Sequence, residues 1–124
     1  MEFMNYEIRD LQRRFNGSFT DGQHLLHYLP NGLVVITLHP SYSKQISYFS
    51  LSPLEIEGSL ANLSEYAKTD MHTLKCPFNC HIVDINTEIS LSKMRQGPTA
   101  TFIMVVRPDG KGKPTLSDNY RPVF

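Results

Sequence analysis

Neither sign of charge prevails in this sequence. Twelve basic and twelve acidic side chains cancel, so the whole-molecule field that would concentrate nucleic acid or an anionic membrane is missing. A charged partner would have to be met by a local patch. Long hydrophobic runs are absent too. The longest, residues 33–38 and 102–106, fall far short of the roughly 20 residues that cross a bilayer as a helix. Cysteine is scarce: Cys76 and Cys80 stand alone, too few for a disulfide-dense secreted scaffold. The first residues carry no basic region followed by an apolar stretch, so a secretory leader is not expected. Together these point to a reduced, intracellular setting in nucleus or cytoplasm.

Signatures of catalysis are equally sparse. The glycines are scattered, with no Gly-x-Gly-x-x-Gly or Walker pattern to cradle a phosphate at a helix N-terminus. No Gly-x-Ser-x-Gly elbow and no cysteine-protease surroundings occur, so nucleophilic hydrolysis leaves no trace. Cys76, Cys80 and His81, with His72 nearby, offer four metal-binding side chains within ten residues. Structural zinc sites bring paired knuckles, however, and this Cys-x-x-x-Cys has no second half. The expectation is therefore no metal and no cofactor, with both cysteines acting as small apolar side chains at strand ends. His24, His27 and His39 lie on or beside a predicted hairpin and are expected to be structural.

What is present suffices for one core: 124 residues of which 40% are apolar make a single domain. Residues 5–15 interleave Tyr6, Ile8, Leu11 and Phe15 with Arg9, Arg13 and Arg14, the spacing of a short amphipathic helix or an arm over residues 1–15. Residues 25–29 and 33–38 flank Pro30, Asn31 and Gly32 and predict a hairpin. Near-alternation over 45–51 predicts a half-buried strand ended by Pro53, and 54–56 a further short one. Leu60, Leu63 and Tyr66 fall at helix-like intervals. Residues 71–75 and 80–85 predict a second strand, turn, strand unit. Residues 99–107, rich in Thr, Val, Ile and Phe, predict a strand through the centre of the core. Beyond Pro108, residues 109–124 are expected to form a flexible tail, in which Lys111 and Lys113 are solubilising. The pattern describes a mainly β domain over 16–108, a small barrel or sandwich.

Two resemblances sharpen this. Residues 68–89, KTDMHTLKCPFNCHIVDINTEI, resemble the second half of a lipoyl or biotinyl domain, a family that presents a modified lysine at a hairpin tip. That tip falls here at Thr69, with Lys68 and Asp70 beside it, so a carrier lysine at Lys68 would be off register by one. A one-residue slip turns a side chain to the other face of a strand.

A broader resemblance covers most of the chain. Asp21 and His24 before one strand, Asn31 before the next, the Val-Ile-Thr-Leu run 35–38, His39-Pro40, the Ile-Ser-Tyr run 46–48, Ile85-Asn86 and the late apolar strand ending at Pro108 are similar to the Abitram (Simiate) family. That resemblance implies a barrel-sandwich hybrid of the lipoyl/biotinyl or glycine-cleavage-H-like kind, without the modified lysine. It also implies actin binding, a nuclear and cytoplasmic location, and no catalytic residues. The residues themselves leave a binding module standing, since Arg and aromatic side chains dominate hot spots. The expected contact surface is Arg9, Arg13, Arg14 and Phe15 on the arm, with Tyr42 and Lys44 after the first hairpin. The alternatives are a carrier domain modified at Lys68 and a structural subunit of a larger complex.

Overall fold

Gly32 needs a backbone that few other residues adopt, and the first hairpin turns on it. Its φ is 90°, in the left-handed region where a Cβ is penalised. The Asn31 side chain accepts from the Leu33 amide at 3.1 Å, and Leu29 and Leu33 close the loop with a 2.8 Å backbone bond. The strands on either side are β2 (His24–Tyr28) and β3 (Val34–Leu38), antiparallel with Leu26 opposite Ile36. The computed structural model describes residues 17–91, 102–110 and 114–123.

Around that hairpin the described residues form two antiparallel sheets. β1 (Gly17–Thr20) precedes β2. After β3 come α1 (Pro40–Gln45), β4 (Phe49–Leu51), β5 (Ser59–Leu60), β6 (Glu65–Thr69), β7 (Thr73–Lys75), β8 (Cys80–Ile85), β9 (Phe102–Pro108) and β10 (Arg121–Pro122). The larger sheet has the order β10-β1-β2-β3-β9-β8-β5 and the smaller β4-β6-β7. The order runs from one edge to another, so the large sheet is not closed into a barrel. The domain is mainly β, as the sequence predicts.

The run at residues 102–106 lies between β3 and β8, and Phe102, Ile103, Met104, Val105 and Val106 are all buried. Side chains on successive strand residues point to opposite faces, so such a run requires cover on both. One face contributes Met104 and Val106 to the main core with Leu26, Ile36, Tyr66, Leu74 and Ile82. The other contributes Phe102 and Val105 to a second cluster with Leu29 and Val35. Unbroken hydrophobic runs, rather than alternation, follow from this two-sided burial.

Elsewhere the structure corrects the expectations. Residues 45–51 are not one strand. Pro40 at the first helical position is preset for a helix, the His39 ring accepts from the Ser41 amide at 3.1 Å, and within 45–51 only Phe49–Leu51 forms a strand. No strand forms over 54–56. The helix-like spacing of Leu60, Leu63 and Tyr66 is a coincidence of two strands and a turn: Leu63 has a φ of 69° and is 65% exposed, whereas Leu60 and Tyr66 are buried. β7 and β8 both form but do not pair. β7 joins β6, β8 joins β5 and β9, and residues 76–79 carry the chain from one sheet to the other.

Residues 114–123, expected to be loose, fold back. Arg121 and Pro122 pair with β1, the Val123 amide donates to the Ser18 carbonyl at 2.9 Å, and Leu116 and Tyr120 pack on the core. The N-terminal arm, with Arg9, Arg13, Arg14 and Phe15, and the pair Lys111 and Lys113 lie outside the described residues.

Leu26 is fully buried between the sheets. Leu26→Ala should lower the free energy of unfolding by about 2–5 kcal/mol, because lost transfer energy and an unfilled cavity add. Urea denaturation checks this, and a cost below about 1 kcal/mol would contradict the packing described.

Candidate functional site

Two places collect side chains of functional interest. The first is the β6–β7 hairpin tip. Asp70 stands just beyond β6, and its carboxylate reaches across to the segment leading into β4, accepting from the Ser47 amide at 2.9 Å and the Tyr48 amide at 3.3 Å. The Ser47 bond, above all, holds the Asp70 carboxyl below its ordinary pKa. Thr69 Oγ1 accepts from the His72 amide at 2.9 Å and meets the Tyr42 hydroxyl at 2.8 Å. The His72 ring stacks on Tyr42 with centroids 6.3 Å apart. These bonds pin the turn, while Tyr48 at 52% and Met71 at 47% exposure face water.

The expected contact residues separate accordingly. Tyr42, predicted on the binding surface, is only 4% exposed, which is a correction. On a helix beginning at Pro40, position 42 shares a face with Ile46 one turn on, and both are driven into the core. Tyr42 therefore buttresses the hairpin from beneath. Lys44, two residues along the same helix, is exposed as expected. Lys68 is also exposed, but it lies within β6, opposite Ser50 and Thr73. The turn residues are Asp70 and Met71, so the tip is displaced from Thr69, and neither turn residue carries an amine.

The second place is a cleft of about 680 Å³, whose lining includes Asp21, His24, Asn62, Lys75, Cys76 and Tyr120. Behind it runs a buried polar chain. Asp21 Oδ1 accepts from the amides of Gln23 at 2.9 Å and His24 at 3.0 Å, fixing the β1–β2 turn. Asp21 Oδ2 lies 3.8 Å from His24 Nε2, and His24 Nδ1 meets the Tyr66 hydroxyl. Burial lowers the His24 pKa, against a smaller opposing pull from Asp21. Burial likewise raises the phenols of Tyr66 and Tyr120, with Asp21 adding to both. Burial thus favours the neutral form of both His24 and Tyr66. The Asp21 carboxylate facing Nε2 favours the tautomer with its proton there, in which Nδ1 accepts from the Tyr66 hydroxyl.

Sequence reading placed Asp21 and His24 among the features of the family resemblance but missed Tyr66. Tyr66 lies 42 residues from His24, on the other sheet, and only the packing of the small sheet on the large one brings them together.

A third histidine, His27, bridges strands. Its Nδ1 is 2.7 Å from Ser18 Oγ and its Nε2 3.4 Å from Thr37 Oγ1. Ser18 and Thr37 are buried as well, so this is a polar rung inside the sheet. The potential metal-binding set does not assemble. Cys76 and Cys80 are adjacent, but His81 Nδ1 pairs with Asp109 at 2.8 Å and His72 lies on Tyr42. Among the described residues no three His, Cys, Asp or Glu side chains converge.

Desolvation takes the His27 pKa from 6.5 down to about 4. The unfolded chain therefore binds the proton first, and stability present above pH 6.5 is lost as the pH falls towards 4. The loss from His27 amounts to roughly 3 kcal/mol, and His24 acts in the same direction. Urea midpoints should be flat from pH 7 to 8 and decline steadily below about 6.5, with a shallower decline in His27→Gln. A midpoint independent of pH over that window would contradict the neutral, buried imidazoles. No family model matches this chain and no curated protein matches it, so its functional reading rests on the residues described.

Proposed function

We propose that this chain is a non-catalytic protein-binding module that meets its partner through the pinned β6–β7 hairpin and its surroundings. The partner we propose is actin, which the resemblance to the Abitram family implies, in nucleus and cytoplasm and with no cofactor. The same reading takes the two sheets as a barrel-sandwich hybrid of the lipoyl-like kind.

The observation that carries it is that two exposed apolar side chains, Met71 on the turn and Tyr48 on the segment bonded to it, stand on backbone that is pinned in place. Asp70 ties the backbone before β4 to the hairpin tip, which places Tyr48 and Met71 on neighbouring backbone. A preorganised aromatic and a polarisable thioether lose little freedom when a partner covers them. Lys44 on α1 and Lys68 on β6 are exposed near this end and supply the local positive charge that a neutral molecule needs to meet an acidic surface.

The cleft chemistry supports the non-catalytic part. His24 is held neutral and Tyr66 protonated by burial, which moves both away from the pKa near working pH that proton transfer requires. The carrier alternative is weakened at the hairpin itself, because the residues at the turn are Asp70 and Met71. A lysine within a strand lacks the exposed tip that a swinging arm needs.

Co-sedimentation with filamentous actin at micromolar protein and low salt tests the reading. The wild-type chain should pellet with filaments. The double variant Tyr48→Ala, Met71→Glu should bind at least about tenfold more weakly, some 1.4 kcal/mol, with an unchanged melting temperature. A wild-type chain that stays in the supernatant would overturn actin as the partner and favour a subunit of another complex. Intact mass should show Lys68 unmodified, and an added lipoyl or biotinyl group would restore the carrier reading.

A further inference from the structure

Cys76 and Cys80 are free thiols with their sulfurs 3.6 Å apart. A disulfide needs about 2.05 Å, so a displacement near a rotamer adjustment separates the pair from a bond. The backbone beneath them is held on both sides. The Cys76 amide donates to the Ser64 carbonyl and the Leu63 amide to the Cys76 carbonyl, each at 2.8 Å. Asn79 between them is fixed through its carbonyl, which accepts from the Asp109 amide at 3.0 Å, and through its side chain, which accepts from the Asn62 amide at 2.5 Å. The approach of the two sulfurs is therefore a property of the fold and not of a mobile loop.

The pair is also asymmetric. Cys76 stands in the wall of the cleft beside Asp21, His24 and Tyr120 with no surface of its own open to water, so a reagent in the cleft meets it only when a neighbouring side chain gives way, whereas Cys80 opens β8 in the large sheet. The Cys76 sulfur donates to the Phe78 carbonyl at 3.0 Å, which leaves the Cys80 thiol to donate to Cys76. That contact pulls the Cys76 thiol below its ordinary pKa, and the same contact with burial drives Cys80 up.

We propose that Cys76 and Cys80 form a reversible dithiol–disulfide site, oxidised by a small hydroperoxide that reaches Cys76 through the cleft. The Cys76 thiolate attacks one peroxide oxygen, the O–O bond breaks, and the leaving oxygen takes a proton and departs as water. The resulting sulfenic acid is then attacked by the Cys80 sulfur. Its proton leaves with the sulfenic hydroxyl as a second water, and the S–S bond forms. In sum, two thiols lose two electrons and one hydrogen peroxide is reduced to two waters. The new bond closes the connection between the end of β7 and the start of β8 into a covalent loop at the crossing from the small sheet to the large one.

Hydrogen peroxide added to the folded chain without denaturant tests this, with alkylation of remaining thiols and intact mass as readouts. Both thiols should disappear together with the loss of two hydrogens, and dithiothreitol should restore them. Cys80→Ser should stop at a sulfenic acid on Cys76 that dimedone captures. Cys76→Ser should lose its remaining thiol at least about tenfold more slowly. If either variant fails to fold, brief peroxide exposure of the wild-type chain with dimedone should label Cys76 and leave Cys80 unlabelled. Persistence of both thiols, oxidation of one alone to a sulfinic acid, or thiol loss that occurs only when urea unfolds the chain would each overturn the site.

Discussion

Tyr66, Leu74, Ile36 and Met104 lose all contact with water where the three-stranded sheet closes on the seven-stranded one, and the other features are arranged around that dry layer. Burial of this kind is the main favourable term in folding, and here it also sets the chemistry of the polar groups it encloses. Desolvation lowers His24 and His27 and raises Tyr28, to about 12, along with Tyr66. Each shift favours the uncharged form, because an ion has no water to replace. A neutral imidazole accepting from a neutral phenol is the arrangement that such an interior tolerates at least cost.

That constraint divides the surface from the interior by function. The Asp21–His24–Tyr66 chain has the residue types of an acid–base relay, and burial favours the uncharged forms of His24 and Tyr66 where the chain joins the β1–β2 turn to the small sheet. The hairpin tip has no such enclosure. Its rigidity comes from Asp70 and Thr69 bonding to backbone amides and from Tyr42 packed underneath, so two apolar side chains can stand in water without relaxing onto the molecule. The thiol pair lies between these regimes: buried, prealigned by the backbone, and adjacent to a cleft. In each case the tertiary arrangement, not the residue type, decides what the group can do.

Much of the β architecture is legible in the chain because it depends on local rules. Asn31-Gly32 between two apolar runs marks a turn that demands positive φ at Gly32, and the apolar run at 102–106 signals a strand covered on both faces. The misreadings are equally physical. Leu60, Leu63 and Tyr66 imitate a helical stripe only because a turn places Leu63 outward, and a run of seven residues cannot show that. Residues 45–51 read as a strand because Ile46, Tyr48 or Phe49, and Leu51 nearly alternate, yet Ile46 is buried as the C-cap of a helix begun by Pro40. Tyr42 reads as a surface residue by its neighbourhood in sequence, and its helical phase turns it inward.

The sequence by itself determined that the chain is mainly β, where the β2–β3 hairpin turns, and that no familiar catalytic or phosphate-binding motif is written into it. Those follow from composition and from spacing over a few residues. Only the tertiary structure decided that β7 leaves β8 for β6, that Tyr66 meets His24, that Met71 and not a lysine stands at the hairpin tip, and that two thiols face each other. These depend on which strands pair across long stretches of chain, and pairing is chosen by the burial of the whole core, a sum that no local window contains.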